Sequence, residues 1–314
     1  MAIIGTDIIN AISFLQKDEL VAIPTETVYG LAGNAFSTKA IAAIFETKNR
    51  PSFDPLIVHV ADAKQLNDLV TEVPAVAQKL IDAFWPGPLT LLLPKSARIP
   101  DLVTAGSKLV GVRCPDHPLT HQLLQQLPFP LAAPSANPFG YISPTTPDHV
   151  AKQLGEKIPY ILDGGPAGIG LESTIVGFED NQAFVYRLGG LSIEALEKVI
   201  GRVNIQLNVS SNPKAPGQLK SHYAPKKKFL IKEKEQFNQP QKNIGLLSFQ
   251  KDYHFQIQKI LSPSGNLAEA AANLFTYMRA LDESHVDEIW TELVPDMGLG
   301  KAINDRLIRA SAEK

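Results

Sequence analysis

The sequence predicts an α/β protein built as one large layered unit followed by a smaller one. Three observations carry that prediction. From residue 1 to about 205 the chain alternates short apolar runs with amphipathic stretches, the pattern of strands and helices stacked around a mixed sheet. After residue 205 a polar, proline-bearing stretch interrupts the pattern, which then resumes on a smaller scale. And 314 residues exceed what one core usually organises.

In the first unit, 20–23, 56–60, 89–93, 109–112, 160–162 and 174–176 read as strands because each is a short apolar run bounded by turn residues. The stretch 37–48 reads as a helix, with Ser37 as N-cap and Ile41, Ile44 and Phe45 as its buried stripe. Helices are also expected over 74–84 and 192–200, the first stopped by the Pro and Gly of WPGP at 85–88. The polar stretch 208–225 carries SSNP, APG and AP and reads as a linker. Beyond it, strands are expected at 229–231, 244–248 and 286–290, with helices over 267–281 and 301–310. This second unit, about 85 residues, is near the lower limit of independent stability.

Composition excludes several classes. The apolar share of 44 % and charged share of 20 % are those of an ordinary globular chain. Thirty Lys and Arg against 32 Asp and Glu leave a net charge of −2, which disfavours stable nucleic-acid binding through many phosphate contacts. One cysteine, Cys114, makes neither an internal disulfide nor a thiolate zinc site and reads as a small buried residue. The first 16 residues lack a basic n-region and a long apolar core, and no apolar run approaches the roughly 20 residues that span a bilayer. The expected compartment is the cytoplasm, without membrane attachment.

Several short segments place chemistry-bearing side chains at element ends. PTETVYGL at 24–31 follows a strand and is expected to precede a helix; its two hydroxyls and a carboxylate suit a small zwitterion, or simply a polar turn. KNRP at 48–51 puts Lys48 and Arg50 at a helix C-terminus. There they either complement the macrodipole or clamp a phosphate, Lys as a point charge and Arg as a planar fork. LIVHV at 56–60 sets His59 on the face opposite Leu56, Val58 and Val60, and GVR at 111–113 delivers an arginine to a strand end. Ser135 and Asn137 of APSAN share one face of an extended segment, and DGGP at 163–166 through EST at 172–174 is open enough for close backbone approach to a ligand. Neither a P-loop nor a GxGxxG pattern occurs, so a nucleotide is not held in either of those ways.

Taken in order, PTETVYGL, KNRP, LIVHV, WPGPLT, GVRCP, APSAN, SPT, DGGP, ESTIV and YRLGG resemble the YrdC-type family of threonylcarbamoyl-adenylate synthases. APGQLKSHYAP and the closing KAINDRLIRAS resemble its longer, two-domain branch. The resemblance implies a YrdC-like twisted mixed sheet with helices over 1–205, a linker with its HYAP element over 206–228, and a small Rossmann-like α/β domain over 229–314. It implies that Lys48 and Arg50 are catalytic, and that Thr27, His59, Arg113, Ala133 and Ser173 bind L-threonine. Arg50, Asp54, Leu109, Ser135, Asn137, Ser143, Arg187 and Tyr223 would bind ATP, with Tyr223 closing over the nucleotide. It further implies that ATP with Mg2+, L-threonine and bicarbonate are the substrates, and that the product passes to a tRNA threonylcarbamoyl transferase complex. Family members often have Asn at the position of Asp54, and the linker here departs from the usual basic run before HYAP, so the resemblance leaves the contacts of 218–221 open. Two rivals are a non-catalytic RNA-binding module of YrdC type and the carbamoyl-transfer role of such domains in hydrogenase maturation. The latter proteins carry several zinc-binding cysteines, against one here.

Overall fold

The structure, a computed structural model, describes residues 1–207, 222–238 and 242–312. The first domain runs β1 (Ile3–Gly5), α1 (Ile8–Leu15), β2 (Val21–Ile23), β3 (Gly30–Asn34), α2 (Thr38–Lys48), β4 (Ile57–His59), α3 (Leu66–Leu69), α4 (Ala75–Phe84), β5 (Leu89–Pro94) and α5 (Asp101–Thr104). It continues with β6 (Leu109–Arg113), α6 (Pro118–Gln126), β7 (Leu131–Ala132), α7 (Pro147–Leu154), β8 (Tyr160–Leu162), β9 (Thr174–Glu179), β10 (Gln182–Arg187), α8 (Ile193–Ile200) and β11 (Asn204–Ile205). Its sheet has the order β1-β8-β2-β3-β7-β4-β6-β5-β9-β10-β11. Pairings are mixed: β4 with β6 and β5 with β9 are parallel, whereas β5 with β6 and β4 with β7 are antiparallel.

The second domain comprises β12 (Lys228–Ile231), β13 (Ile244–Ser248), β14 (Ile257–Ile260), α9 (Leu267–Asp282), β15 (Glu288–Thr291) and α10 (Gly300–Ser311). Its four strands are all parallel, in the order β12-β15-β13-β14. Most of the linker, 208–221, lies outside the described residues, and 218–221 with it. Among the described residues no helix is long and apolar enough to cross a membrane.

Local chemistry accounts for the helix starts. Asp7, Ser37, Thr146, Ser192 and Asn266 each accept a main-chain N–H of the following turn through the side chain, which satisfies donors the helix cannot. One expectation needs correction. PTETVYGL leads not into a helix but into the strand β3, antiparallel to β2. The strand is assembled on small residues, because it runs against its neighbours too closely for bulk: a Cβ on Gly33 would meet the Leu20 side chain at 2.9 Å.

Candidate active site

Register brings the strand-end residues together. His59 pairs with Arg113 across the parallel β4 and β6, and Arg113 pairs with Thr90 across β5 and β6. Arg113 and His59 thus stand side by side at the carboxyl ends of parallel strands, the usual ligand edge of an α/β sheet. The arginine braces the PTET turn against the WPGP segment. It donates from Nη1 to Thr27 Oγ1 at 2.8 Å and from Nε to the Gly87 carbonyl at 3.2 Å, and its Nη2 lies 2.6 Å from Glu26 Oε1. Thr25 and Thr27 share a hydrogen bond of 2.8 Å between their hydroxyls. His59 is buried, and burial with the adjacent Arg113 pushes its imidazole down to about 3. It is a neutral group at physiological pH, suited to orienting a ligand rather than carrying charge.

The C-terminus of α2 separates the two cations of KNRP. Asn49 caps the helix in the left-handed conformation, φ 50°, a role Asn tolerates better than most residues. The turn sends Lys48 and Arg50 to different tasks. Lys48, 1 % exposed, donates from Nζ to the carbonyl oxygens of Ser135 and Asn137, each at 2.5 Å. Arg50 reaches the cavity and is backed by Asp54, with Nη2 3.0 Å from Oδ2 and further bonds to the Asp54 and Pro55 carbonyls. Burial drives the Lys48 ammonium well below its ordinary value, aided by Arg50, and raises the Asp54 carboxyl despite the opposing pull of Arg50.

A third arginine completes the wall. Arg187, at the end of β10, donates from Nε and Nη2 to the Ser173 carbonyl at 3.0 and 2.9 Å and from Nη2 to Ser173 Oγ at 3.0 Å. The Ser173 hydroxyl also bonds that of Thr90 at 2.7 Å. On the opposite side, Leu31 N–H donates to the Pro134 carbonyl and Ala136 N–H to that of Tyr29, so the APSAN segment lies along the start of β3. Gly30 permits this approach, since a Cβ there would come within 3.2 Å of Ala133 Cβ.

These walls enclose a cavity of about 50 Å³. Of the residues expected at substrate, Thr27, Arg50, His59, Arg113, Ala133, Ser135, Ser173, Arg187 and Tyr223 line it. Five others do not: Lys48 and Asp54 stand behind Arg50 and APSAN, Asn137 turns its amide nitrogen to the Pro138 and Tyr141 carbonyls, and Ser143 donates to Glu172 Oε1 at 2.5 Å. Leu109 begins β6, whereas Arg113 ends it; its side chain packs against the cluster of Ile57, Leu92, Ile175 and Tyr186. Three contributors with polar side chains were not singled out from sequence. Thr25 and Glu172 are in quoted motifs, and His222 precedes Tyr223 in HYAP, yet nothing in their types marked them above their neighbours.

His222 and Tyr223 close the cavity from the second-domain side. Tyr223 is 1 % exposed and adopts φ 62°; its ring stacks on Phe275 of α9 at 5.6 Å and packs edge-on with His222 at 4.1 Å. Burial pushes the Tyr223 hydroxyl up to about 12, and burial together with Arg50 and Lys48 pushes His222 well below the usual range. Cys114 lies outside this lining; it is buried, donates to the Ala61 carbonyl, and burial raises its thiol to about 12. Among the described residues no three His, Cys, Asp or Glu side chains converge as a metal cage. Among the described residues the single carboxylate lining the cavity, Glu172, is already engaged by Ser143 and by Arg306.

Comparison with known proteins places this geometry. Residues 13–189 match the Sua5/YciO/YrdC family, described as "Telomere recombination", and 191–312 match the family described as "Threonylcarbamoyl-AMP synthase, C-terminal domain". The threonylcarbamoyl-AMP synthase of Bacillus subtilis is 41 % identical over 97 % of this chain and 92 % of its own length. The crystal structure of Pyrococcus abyssi Sua5 complexed with L-threonine superposes with a TM-score of 0.91 at 38 % identity, covering 99 % of this chain and 98 % of that one. Full-length HypF shares only the fold, at 18 % identity and a TM-score of 0.53 over 59 % of this chain and 29 % of its own. With both halves matched in order, the chain belongs to the Sua5/YciO/YrdC family, in the two-domain form that ends in a threonylcarbamoyl-AMP synthase C-terminal domain.

Proposed function

We propose that this protein is a nucleotidyltransferase that forms threonylcarbamoyl-AMP and pyrophosphate from L-threonine, bicarbonate or CO2, and ATP, supplying tRNA N6-threonylcarbamoyladenosine synthesis. One observation carries the reading: Arg50, Arg113 and Arg187 converge on one cavity whose remaining polar wall is hydroxyls, the neutral imidazoles of His59 and His222, and the Glu172 carboxylate that Arg306 pairs. Fixed cations beside hydroxyls suit an amino acid carboxylate and a polyphosphate held together. The amine of threonine attacks CO2 to give a carbamate, a carbamate oxygen attacks the α-phosphorus, and the bond to pyrophosphate breaks. Negative charge builds on the phosphate in that step, so prepositioned guanidinium groups are the main lever. No covalent protein intermediate is needed, in keeping with the high thiol pKa of Cys114.

Roles divide along the cavity. Arg113, Thr27, His59, Ser173 and the main chain at Ala133 take threonine; Arg50, Ser135, Arg187 and Tyr223 take the nucleotide. Lys48 holds the APSAN carbonyls and Asp54 holds Arg50, so both act at one remove; Asn137 and Ser143 support the same wall. Mg2+ would accompany the triphosphate. A tRNA threonylcarbamoyl transferase complex would receive the product in the cytoplasm. The test is pyrophosphate release in the presence of ATP, Mg2+ and bicarbonate. Release that depends on threonine supports the reading, and its absence, with salt-dependent RNA binding in its place, would favour the RNA-binding rival.

A further inference from the structure

Two arginines of the second domain are buried in the first. Arg306, in the middle of α10, is fully buried. It donates from Nε to Glu172 Oε2 at 2.9 Å, from Nη2 to the Leu188 carbonyl at 2.8 Å, and from Nη1 to Asp305 Oδ2 at 2.6 Å. Its guanidinium carbon also lies 4.8 Å from the centre of the Tyr223 ring. Arg279 of α9, 1 % exposed, donates to the carbonyls of Ile142 and Ser143, the latter at 3.3 Å, and to Gln153 Oε1 at 3.1 Å.

Both chains of contact end on the same residue. Arg279 holds the main chain of Ser143, and Arg306 holds Glu172, whose other oxygen accepts the Ser143 hydroxyl at 2.5 Å. Glu172 also lines the cavity. A lone carboxylate there would repel an incoming triphosphate and would be costly to bury unpaired; Arg306 supplies its counter-charge. The same guanidinium faces the ring that closes the cavity.

We propose that Arg306 is a positioning residue of the nucleotide site, through which the C-terminal domain neutralises Glu172, fixes Ser143 and seats Tyr223. The proposal rests on the functional reading above, and it gives the second domain a specific part: preparing the site for ATP while leaving the threonine side to Arg113 and Thr27.

Calorimetry with the full chain tests it, titrating ATP and threonine separately, with circular dichroism to confirm folding. Arg306→Gln should weaken ATP binding by about tenfold or more, the scale of breaking one partner of a buried charge pair, and leave threonine binding within about twofold. Adding Glu172→Gln to that variant should recover most of the lost ATP affinity, because the uncompensated charge is gone. A merely structural arginine would not show that rescue. If Arg306→Gln does not fold, Arg306→Lys keeps the charge but not the planar fork, and should weaken ATP alone. Unchanged ATP affinity in a folded variant, equal losses for ATP and threonine, or a double variant no better than the single would overturn the proposal. Because the readout is binding, it is separate from turnover: a wild-type protein that binds ATP but releases no pyrophosphate sinks the functional reading and leaves this one to stand or fall on the ratios.

Discussion

Lys48 Nζ donates to the main-chain carbonyl of Ser135 at 2.5 Å, and this contact divides the labour of the two cations in KNRP. Lys48 grips the backbone of the segment that carries Ser135 and Asn137, while Arg50 faces the cavity. Removing Lys48 leaves the buried Asn137 carbonyl without a donor, at roughly 1–3 kcal/mol, while the Ser135 carbonyl keeps only the Asn137 N–H at 3.0 Å. Lys48→Ala is therefore expected to lower both unfolding stability and turnover. Arg50→Ala should lower turnover roughly 10²–10³-fold, the scale of one lost oxyanion donor. Denaturant unfolding and steady-state kinetics on both variants separate the two effects; identical stability for Lys48→Ala and wild type would refute the division.

Substrate choice follows from the hydroxyl-rich wall of Thr25, Thr27 and Ser173. A site that hydrogen-bonds the threonine hydroxyl rejects an isostere lacking it far more strongly than one lacking a methyl group. Valine should be a much poorer substrate than serine, and serine should fall short of threonine by only about 10–200-fold. Competition assays that find valine and serine equivalent would show that the hydroxyl is not read.

His222 and Tyr223 predict a moving closure. A cavity of about 50 Å³ holds no more than a few waters, so a nucleotide enters only once the HYAP segment withdraws, and the segment then shields a hydrolysable product. Tyr223→Ala, or truncation after residue 207, should raise hydrolysis of the adenylate relative to its synthesis. Chromatographic quantification of adenylate against AMP checks this. An unchanged ratio would remove the shielding role.

Buried neutral histidines set a pH dependence. Burial holds His59 at about 3 and His149 at about 4, both below the ordinary value of about 6.5. Between those values the unfolded chain binds more protons than the folded one, so stability falls as pH drops through the window from about 6.5 toward 4. Thermal unfolding followed across that range should show the decline, shallower in His149→Gln. A midpoint independent of pH there would contradict it.

Strand ends were the most legible part of the sequence. The apolar runs ending in His59 and Arg113 and the polar PTET turn follow from period-two alternation and need only register to meet. The strand β3 was missed because four of its five residues, Gly-Leu-Ala-Gly-Asn, are Gly, Ala or Asn, which are depleted in strands; contact with β2 and β7 imposes the conformation. The direction of Lys48 could not be read either, since it depends on the left-handed cap at Asn49 and on carbonyls about 87 residues away. Arg306 was in principle visible. It shares a face of α10 with Ala302, Ile303 and Ala310, and a charged residue on an apolar stripe signals a buried partner.

On the proposed function, one cavity joins an amino acid, a one-carbon acid and the α-phosphate of ATP. Incubation with threonine, radiolabelled bicarbonate and ATP labelled at the α-phosphorus tests it in one chromatogram. A single threonine-dependent product carrying both labels, lost in Arg50→Ala, is the expected result. Labelled AMP without the carbon label, or no threonine dependence, would contradict it.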